Sequence, residues 1–160
     1  MEKNYKELMP NISTFIFDVD GVFTDGSVYL DNNGNESLKF SRIDGKGIEL
    51  LRKKGYLLGV ISSEKNDIVK KRMKKLQIKE IHLEIKNKLK VYEDIKKKYK
   101  LKNEEICFCG DDIQDIPVMK KCGMRCCPSN SQEEVIRICD FKSSKVGGNG
   151  FVREVCNMLK

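Results

Sequence analysis

Thr14-Phe-Ile-Phe-Asp18-Val-Asp20-Gly21-Val22 is the stretch on which the fold turns. Thr14 and three apolar residues, without polar alternation, suit a strand buried on both faces, as in a parallel sheet. The run stops at two carboxylates separated by one apolar residue and followed by glycine. Open α/β sheets bind their ligands in that position, beyond the carboxyl ends of the strands. Two further runs have the same shape: Leu57-Leu-Gly-Val-Ile61 ends in Ser62, and Ile106-Cys-Phe-Cys109 ends in Gly110-Asp111-Asp112.

Helical patterns lie between these runs. The spacing predicts helices over Lys46 to Lys54, over Lys65 to Leu76 (Ile68, Val69, Met73 and Leu76 on one face) and over Lys86 to Tyr99 (Leu89, Tyr92, Ile95 and Tyr99). A short strand is expected near Ile81 to Leu83. Ser131-Gln-Glu-Glu134 has the form of a capping box opening a helix through Ile138. Strands alternating with helices make βαβ units, so the expected class is α/β, doubly wound, with a mainly parallel sheet. Ser27-Val-Tyr-Leu30 and Glu36-Ser-Leu-Lys-Phe40, joined by Asp-Asn-Asn-Gly-Asn, break the alternation and predict a β-hairpin flap over the first strand's end.

The 160 residues suit one domain, 1–160, with no internal repeat or linker. A hydrophobic fraction of 39% and a charged fraction of 34% describe a hydrated globule, and no apolar run is long enough to span a bilayer. The N-terminal MEKNYKELMP has no signal-like core, so a cytoplasmic location and no membrane partner are expected. Seven cysteines, an odd and scattered set, argue for buried reduced thiols rather than a disulfide framework or a zinc site. The net charge of +7 comes largely from lysines on the polar faces of predicted helices. No aromatics interleave with them, so a nucleic-acid partner is not expected.

Four features fall at predicted strand ends: Asp18 with Asp20, then Ser62, then Lys88, then Asp111 with Asp112 and Asp115. Taken singly, Ser62 reads first as a helix cap and Lys88 as a surface lysine. Taken together and in this order, they resemble the four motifs of the haloacid dehalogenase (HAD) superfamily: DxDG, a strand ending in Ser or Thr, a Lys, and GDDxxD. The resemblance covers essentially the whole chain. It implies a HAD-like fold and a Mg²⁺-dependent phosphatase, with Asp18 and Asp111 as metal ligands through their carboxylates and Asp20 through its backbone carbonyl. It further implies Asp18 as nucleophile, Asp20 as general acid and base, and Ser62 and Lys88 as partners of the phosphoryl oxygens. Asp115 is expected to orient Lys88 or a metal-bound water, with Asp112 as a further helper. The single histidine, His82, stands outside this set.

The chemistry fits those residue types. A phosphomonoester is dianionic and repels a carboxylate nucleophile, so cationic groups must compensate. Carboxylate oxygens are hard ligands suited to Mg²⁺. A general acid needs a carboxyl whose pKa is raised towards working pH.

Residues 21–61 and 89–110 are the two intervals where HAD enzymes carry caps, and neither has room for one. DVDGVFTDGSVYLDNNGNE, DGKGIELLRKKG, GDDIQDIPVMKKCG and GGNGFVREVCNML look like the capless sugar-acid phosphatases. These act on 3-deoxy-D-manno-octulosonate (KDO) 8-phosphate or on nononate analogues such as N-acetylneuraminate 9-phosphate. The same domain is fused to acylneuraminate cytidylyltransferases, where it need not be catalytic. The resemblance implies a phosphorylated sugar acid as substrate and a homotetramer. In that assembly the tail, here Gly147-Gly-Asn-Gly150-Phe-Val-Arg153, reaches a neighbouring active site. On the residues alone, this stretch reads as a glycine cap and loop before a terminal helix. Ser62-Ser63-Glu64-Lys65 departs from the octulosonate TGR, and Ile43 replaces an expected Arg. The segment before Lys88 is also shortened to Glu84-Ile-Lys-Asn87. Glu64 and Lys75 resemble the nononate branch, so both are expected to bind substrate, Lys75 from a neighbouring chain. The reading therefore leans to a nononate 9-phosphate, with the KDO 8-phosphate enzyme as the alternative.

Overall fold

The computed structural model describes residues 4–159. Helix α1 (Tyr5–Leu8) leads into β1 (Thr14–Phe17), and the hairpin follows as β2 (Tyr29–Leu30) and β3 (Glu36–Ser37). Then come α2 (Arg42–Lys53), β4 (Leu57–Ile61), α3 (Asp67–Lys75), β5 (Glu80–His82) and α4 (Lys88–Tyr99). The chain ends through β6 (Ile106–Cys109), α5 (Ile116–Met119), β7 (Met124–Cys127), α6 (Glu133–Ile138), β8 (Phe141–Lys142) and α7 (Phe151–Asn157). The main sheet has the order β5-β4-β1-β6-β7-β8, and every pairing in it is parallel. This is the doubly wound α/β arrangement, without a cap.

Side chains of β1 alternate between two cores, which explains its unbroken apolar sequence. Phe15 and Phe17 join Ile48, Leu51, Val69, Met73, Val152 and Val155 from α2, α3 and α7. Ile16 joins Tyr92, Ile95, Val118 and Val135 from α4, α5 and α6 on the opposite face. Six of the seven cysteines are buried, Cys139 is partly so, and all are free thiols. After β1 the chain moves outward through β4 and β5, then returns to the other side of β1 as β6. That reversal opens a crevice between the carboxyl ends of β1 and β6, where Asp18 and Asp111 lie.

Three local expectations need correction. Helix α2 begins at Arg42, not Lys46, and runs through Gly45 and Gly47. Ser41 caps it by accepting the Asp44 amide at 3.4 Å. The glycines are there for close packing rather than to end a helix: a Cβ on Gly47 would lie 2.9 Å from Cys156 Sγ and 3.1 Å from Arg153 Cα. The capping box at Ser131 does not form. Ser131 Oγ donates to the Pro128 carbonyl at 2.9 Å, and α6 starts at Glu133 without a side-chain cap. Helix α3 starts two residues later than its apolar pattern implies, because Asn66 supplies the cap.

The hairpin forms over only two paired residues per strand. Asp31 Oδ1 closes its loop by accepting the amides of Asn33 at 2.8 Å and Asn35 at 2.9 Å. No helix among the described residues is long and apolar enough to cross a membrane.

Asp44, buried within α2, ties that helix to α7. Its carboxylate accepts the backbone amides of Gly150 at 3.3 Å and Arg153 at 2.9 Å. Asp44→Ala should therefore leave two donors at the start of α7 unsatisfied and lower stability by about 1–3 kcal/mol. Urea unfolding checks this, and a midpoint equal to that of the wild type would contradict it.

Candidate active site

The strand ends meet in a cleft of 390 Å³ lined by Asp18, Asp20, Lys88, Asp111, Asp112 and Glu64, with the hairpin at its edge. Asp18 follows β1 directly, and its amide donates to the Cys109 carbonyl at 2.9 Å, extending the β1–β6 ladder by one rung. Its Oδ1 accepts the Val19 amide at 2.7 Å. The chain then turns at Gly21, which has φ +78° and packs directly beneath the Asp111 carboxylate. A side chain there would both strain the backbone and overlap Asp111. Thr24, fully buried, braces this turn: its Oγ1 accepts the amides of Gly21 at 3.3 Å and Gly26 at 3.2 Å.

Lys88 is the first residue of α4, with Asn87 as cap. Its side chain is 4% exposed and lies between two carboxylates: Nζ is 2.9 Å from Asp18 Oδ2 and 2.8 Å from Asp115 Oδ1. Asp115, fully buried, uses its other oxygen for the amides of Asp111 at 3.1 Å and Asp112 at 3.3 Å. Gly110 is required here because a Cβ would fall 2.6 Å from Asp115 Oδ2. One aspartate thus positions both the lysine and the backbone that carries Asp111.

Carboxylate oxygens of Asp18, Asp111 and Asp115 lie within 4.8 Å of one another. Burial, and then the charge of Asp115, pushes the Asp18 carboxyl well up despite the pull of Lys88. Burial, then Asp115 and Asp112, pushes Asp111 up to about 7. Asp20 is also raised, first by burial and then by Glu64. Burial alone would lower the Lys88 pKa, but Asp18 and Asp115 more than reverse it. Asp111 Oδ1 is buried with no hydrogen-bond partner. Asp115 does not line the cleft, so the carboxylates that face a cation there are those of Asp18 and Asp111, with Asp20 beside them. An all-oxygen set with an orphaned buried acceptor fits Mg²⁺.

Not every expected residue reaches the cleft. Ser62 is buried, its hydroxyl accepting the Glu64 amide at 3.4 Å, and Ser63 lines the cleft instead. Glu64 is at the cleft. Lys75 is exposed at the far end of α3, whose opposite end, capped by Asn66, is the one that borders the site. Arg153 sits on α7, outside the cleft, where its Nε donates to Asn157 Oδ1 at 2.9 Å. Within this chain the tail packs against its own Gly21 turn: Gly148 donates to the Val22 carbonyl at 3.0 Å, and a Cβ on Gly147 would overlap the Gly21 carbonyl. Thr24 and the rim residues Asn66 and Gln114 carry no signal in the sequence pattern, and neither does the packing of Gly147 on its own chain's Gly21 turn. Their roles depend on contacts between segments far apart in sequence.

The family model for haloacid dehalogenase-like hydrolases matches residues 27–128, more than half of the chain. The 3-deoxy-D-manno-octulosonate 8-phosphate phosphatase KdsC of Escherichia coli K12 is 35% identical over 149 residues, covering 93% of this chain and 79% of that protein. The Yersinia pestis octulosonate phosphatase structure superposes with a TM-score of 0.94 at 28% identity, covering 97% of this chain and 84% of the other. The Moraxella catarrhalis enzyme, solved with magnesium, phosphate and KDO, gives 0.94 at 29% identity over 99% and 91%. The motif order, the parallel sheet and these likenesses together establish that the chain belongs to the haloacid dehalogenase-like hydrolase family, as a phosphatase.

Proposed function

We propose that the chain hydrolyses a 2-keto-3-deoxy sugar-acid phosphate, and that KDO 8-phosphate fits it best. The observation that carries the reading is the buried Lys88 held between Asp18 and Asp115 at the floor of an acidic cleft. Asp18 attacks phosphorus in line, forming an aspartyl-phosphate as the P–O bond to the sugar breaks. Asp20, its pKa raised, gives its proton to the departing oxygen. It then takes a proton from the water that attacks phosphorus and frees Asp18. Lys88 spends two N–H donors on Asp18 and Asp115 and keeps one for the phosphoryl group. Ser62 Oγ accepts the Glu64 amide and so helps hold the segment that brings Ser63 and Glu64 to the cleft. The carboxylates of Asp18 and Asp111 and the backbone carbonyl of Asp20 would hold Mg²⁺, which when bound offsets the negative charge shared by nucleophile and phosphoryl oxygens.

The octulosonate reading is favoured over the nononate one by the 35% identity to the KDO 8-phosphate phosphatase. Glu64 at the cleft is the observation that keeps the nononate 9-phosphate as a second reading. Lys75 could add to it only from a neighbouring chain. We read the assembly as a homotetramer joined through the hairpin, where Val28, Tyr29 and Leu30 are 51%, 55% and 68% exposed. In that arrangement the tail bearing Arg153 would approach a neighbour's cleft.

With Asp111 at about 7 in the folded chain, a proton occupies that carboxyl below neutral pH and Mg²⁺ must displace it. Affinity for Mg²⁺ should fall by about tenfold or more per unit below pH 7, since the Asp18 carboxyl is raised as well. Titration calorimetry at pH 6, 7 and 8 in two buffers measures both affinity and proton release. Equal affinity at pH 6 and 8 without proton release would contradict the ligand assignment. Steady-state kinetics on the two sugar-acid phosphates, side by side, should give the larger kcat/KM for KDO 8-phosphate. A preference for the nononate ester would restore the second reading, and a fully active monomer in sedimentation would overturn the shared assembly.

A further inference from the structure

The mouth of the cleft is crossed by two side-chain links that phosphoryl transfer does not require. Asn66 Nδ2 donates to Glu36 Oε2 at 3.2 Å, joining the hairpin to the start of α3. Ser63 Oγ donates to Gln114 Oε1 at 2.9 Å, joining the ends of β4 and β6. All four residues line the cleft. The Asn66 amide has no freedom to turn, because its Oδ1 caps α3 by accepting the amides of Ile68 at 2.8 Å and Val69 at 3.4 Å. Its Nδ2 therefore points at the hairpin, and Glu36, which lines the cleft, is held at Oε2 with no hydrogen bond to its Oε1 among the described residues.

The charges around that oxygen are one-sided. Asp18, Asp20, Asp111 and Asp112 form the inner wall, while Glu36 and Glu64 stand at the rim. Among the described residues Lys88 is the one cation lining this cleft, and its charge is shared between Asp18 and Asp115. A leaving group must pass the rim carboxylates to place its ester oxygen against Asp20. A carboxylate accepts hydrogen bonds from hydroxyls and repels a second anion.

We infer that Glu36, held by Asn66, is a specificity residue that selects a neutral, hydroxyl-bearing leaving group next to the ester and rejects one negatively charged there. This rests on the phosphatase reading and deepens it. A sugar acid phosphorylated at the end opposite its carboxylate meets the requirement. Short phospho-acids and bisphosphates do not. Asn66 acts through Glu36 and is a positioning residue.

The matched probes are glycerol 3-phosphate and 3-phosphoglycerate, which have the same length and differ by a hydroxymethyl in place of a carboxylate. The readout is the ratio of their kcat/KM values with Mg²⁺ present. Wild type should favour glycerol 3-phosphate, and Glu36→Gln should reduce that ratio by about tenfold, the scale of removing one nearby like charge at a partly hydrated site. The change should lie in KM rather than kcat. Asn66→Ser keeps a helix-capping oxygen but cannot reach Glu36, so it should shift the ratio the same way, by about threefold, with an unchanged thermal midpoint. An active wild type whose ratio stays within twofold in Glu36→Gln would overturn the inference alone. So would Asn66→Ser if it lowered the midpoint and reduced kcat equally for both esters. A wild type that hydrolyses KDO 8-phosphate but neither short ester would overturn the inference alone, and one that hydrolyses none of the three would overturn the sugar-acid phosphate reading and the inference with it.

Discussion

A lysine ammonium buried between two carboxylates is the constraint from which the rest of the site follows. Asp18 and Asp115 would repel each other at this separation, and burial raises the cost of charging either. Lys88 makes the pair tolerable by contacting both, at 2.9 and 2.8 Å. Removing one partner of such a buried arrangement costs about 3–5 kcal/mol in general, because it strands a charge. The fold supplies the precision this demands. Asp18 is locked to β6 through its backbone, Lys88 to the start of α4, and Asp115 to the amides of Asp111 and Asp112. Gly21 and Gly110 are the two places where the backbone itself must make room for these carboxylates.

Much of this was legible in the sequence because the signals are local. An apolar run without alternation means a doubly buried strand, and Phe15, Ile16 and Phe17 do divide between two cores. Carboxylates at the ends of β1 and β6 follow directly from where the runs stop. Lys88 could not be told from a surface lysine by its own neighbours. Only its order among the other motifs separated it, and the structure buries it at 4% exposure.

What was not legible depended on distant contacts. The helix was expected to start at Lys46, after Gly45, yet α2 runs through Gly45, and α7 packs so closely on Gly47 that a Cβ there would meet Cys156 and the Arg153 backbone. Ser131 had the spacing of a cap, but the Pro128 carbonyl claims its hydroxyl. The rim pairs Asn66–Glu36 and Ser63–Gln114 join residues 30 and 51 positions apart, and no periodicity predicts such pairs. The lean towards a nononate substrate rested on Glu64, Lys75 and Ile43. Glu64 does line the cleft, Lys75 stands at the far end of α3 as a residue meant for a neighbouring chain would, and it is the sequence likeness that favours the octulosonate enzymes.

The central claim is that Asp18, held by Lys88, becomes covalently phosphorylated during turnover. Acid-quenching the Mg²⁺-loaded enzyme within milliseconds of adding substrate preserves an acyl phosphate long enough for peptide mass spectrometry. A phosphoryl mass increment on the peptide containing Asp18, removed by hydroxylamine, is the predicted result. Rapid turnover with no phosphoryl group on Asp18, or with one on another side chain, would contradict it.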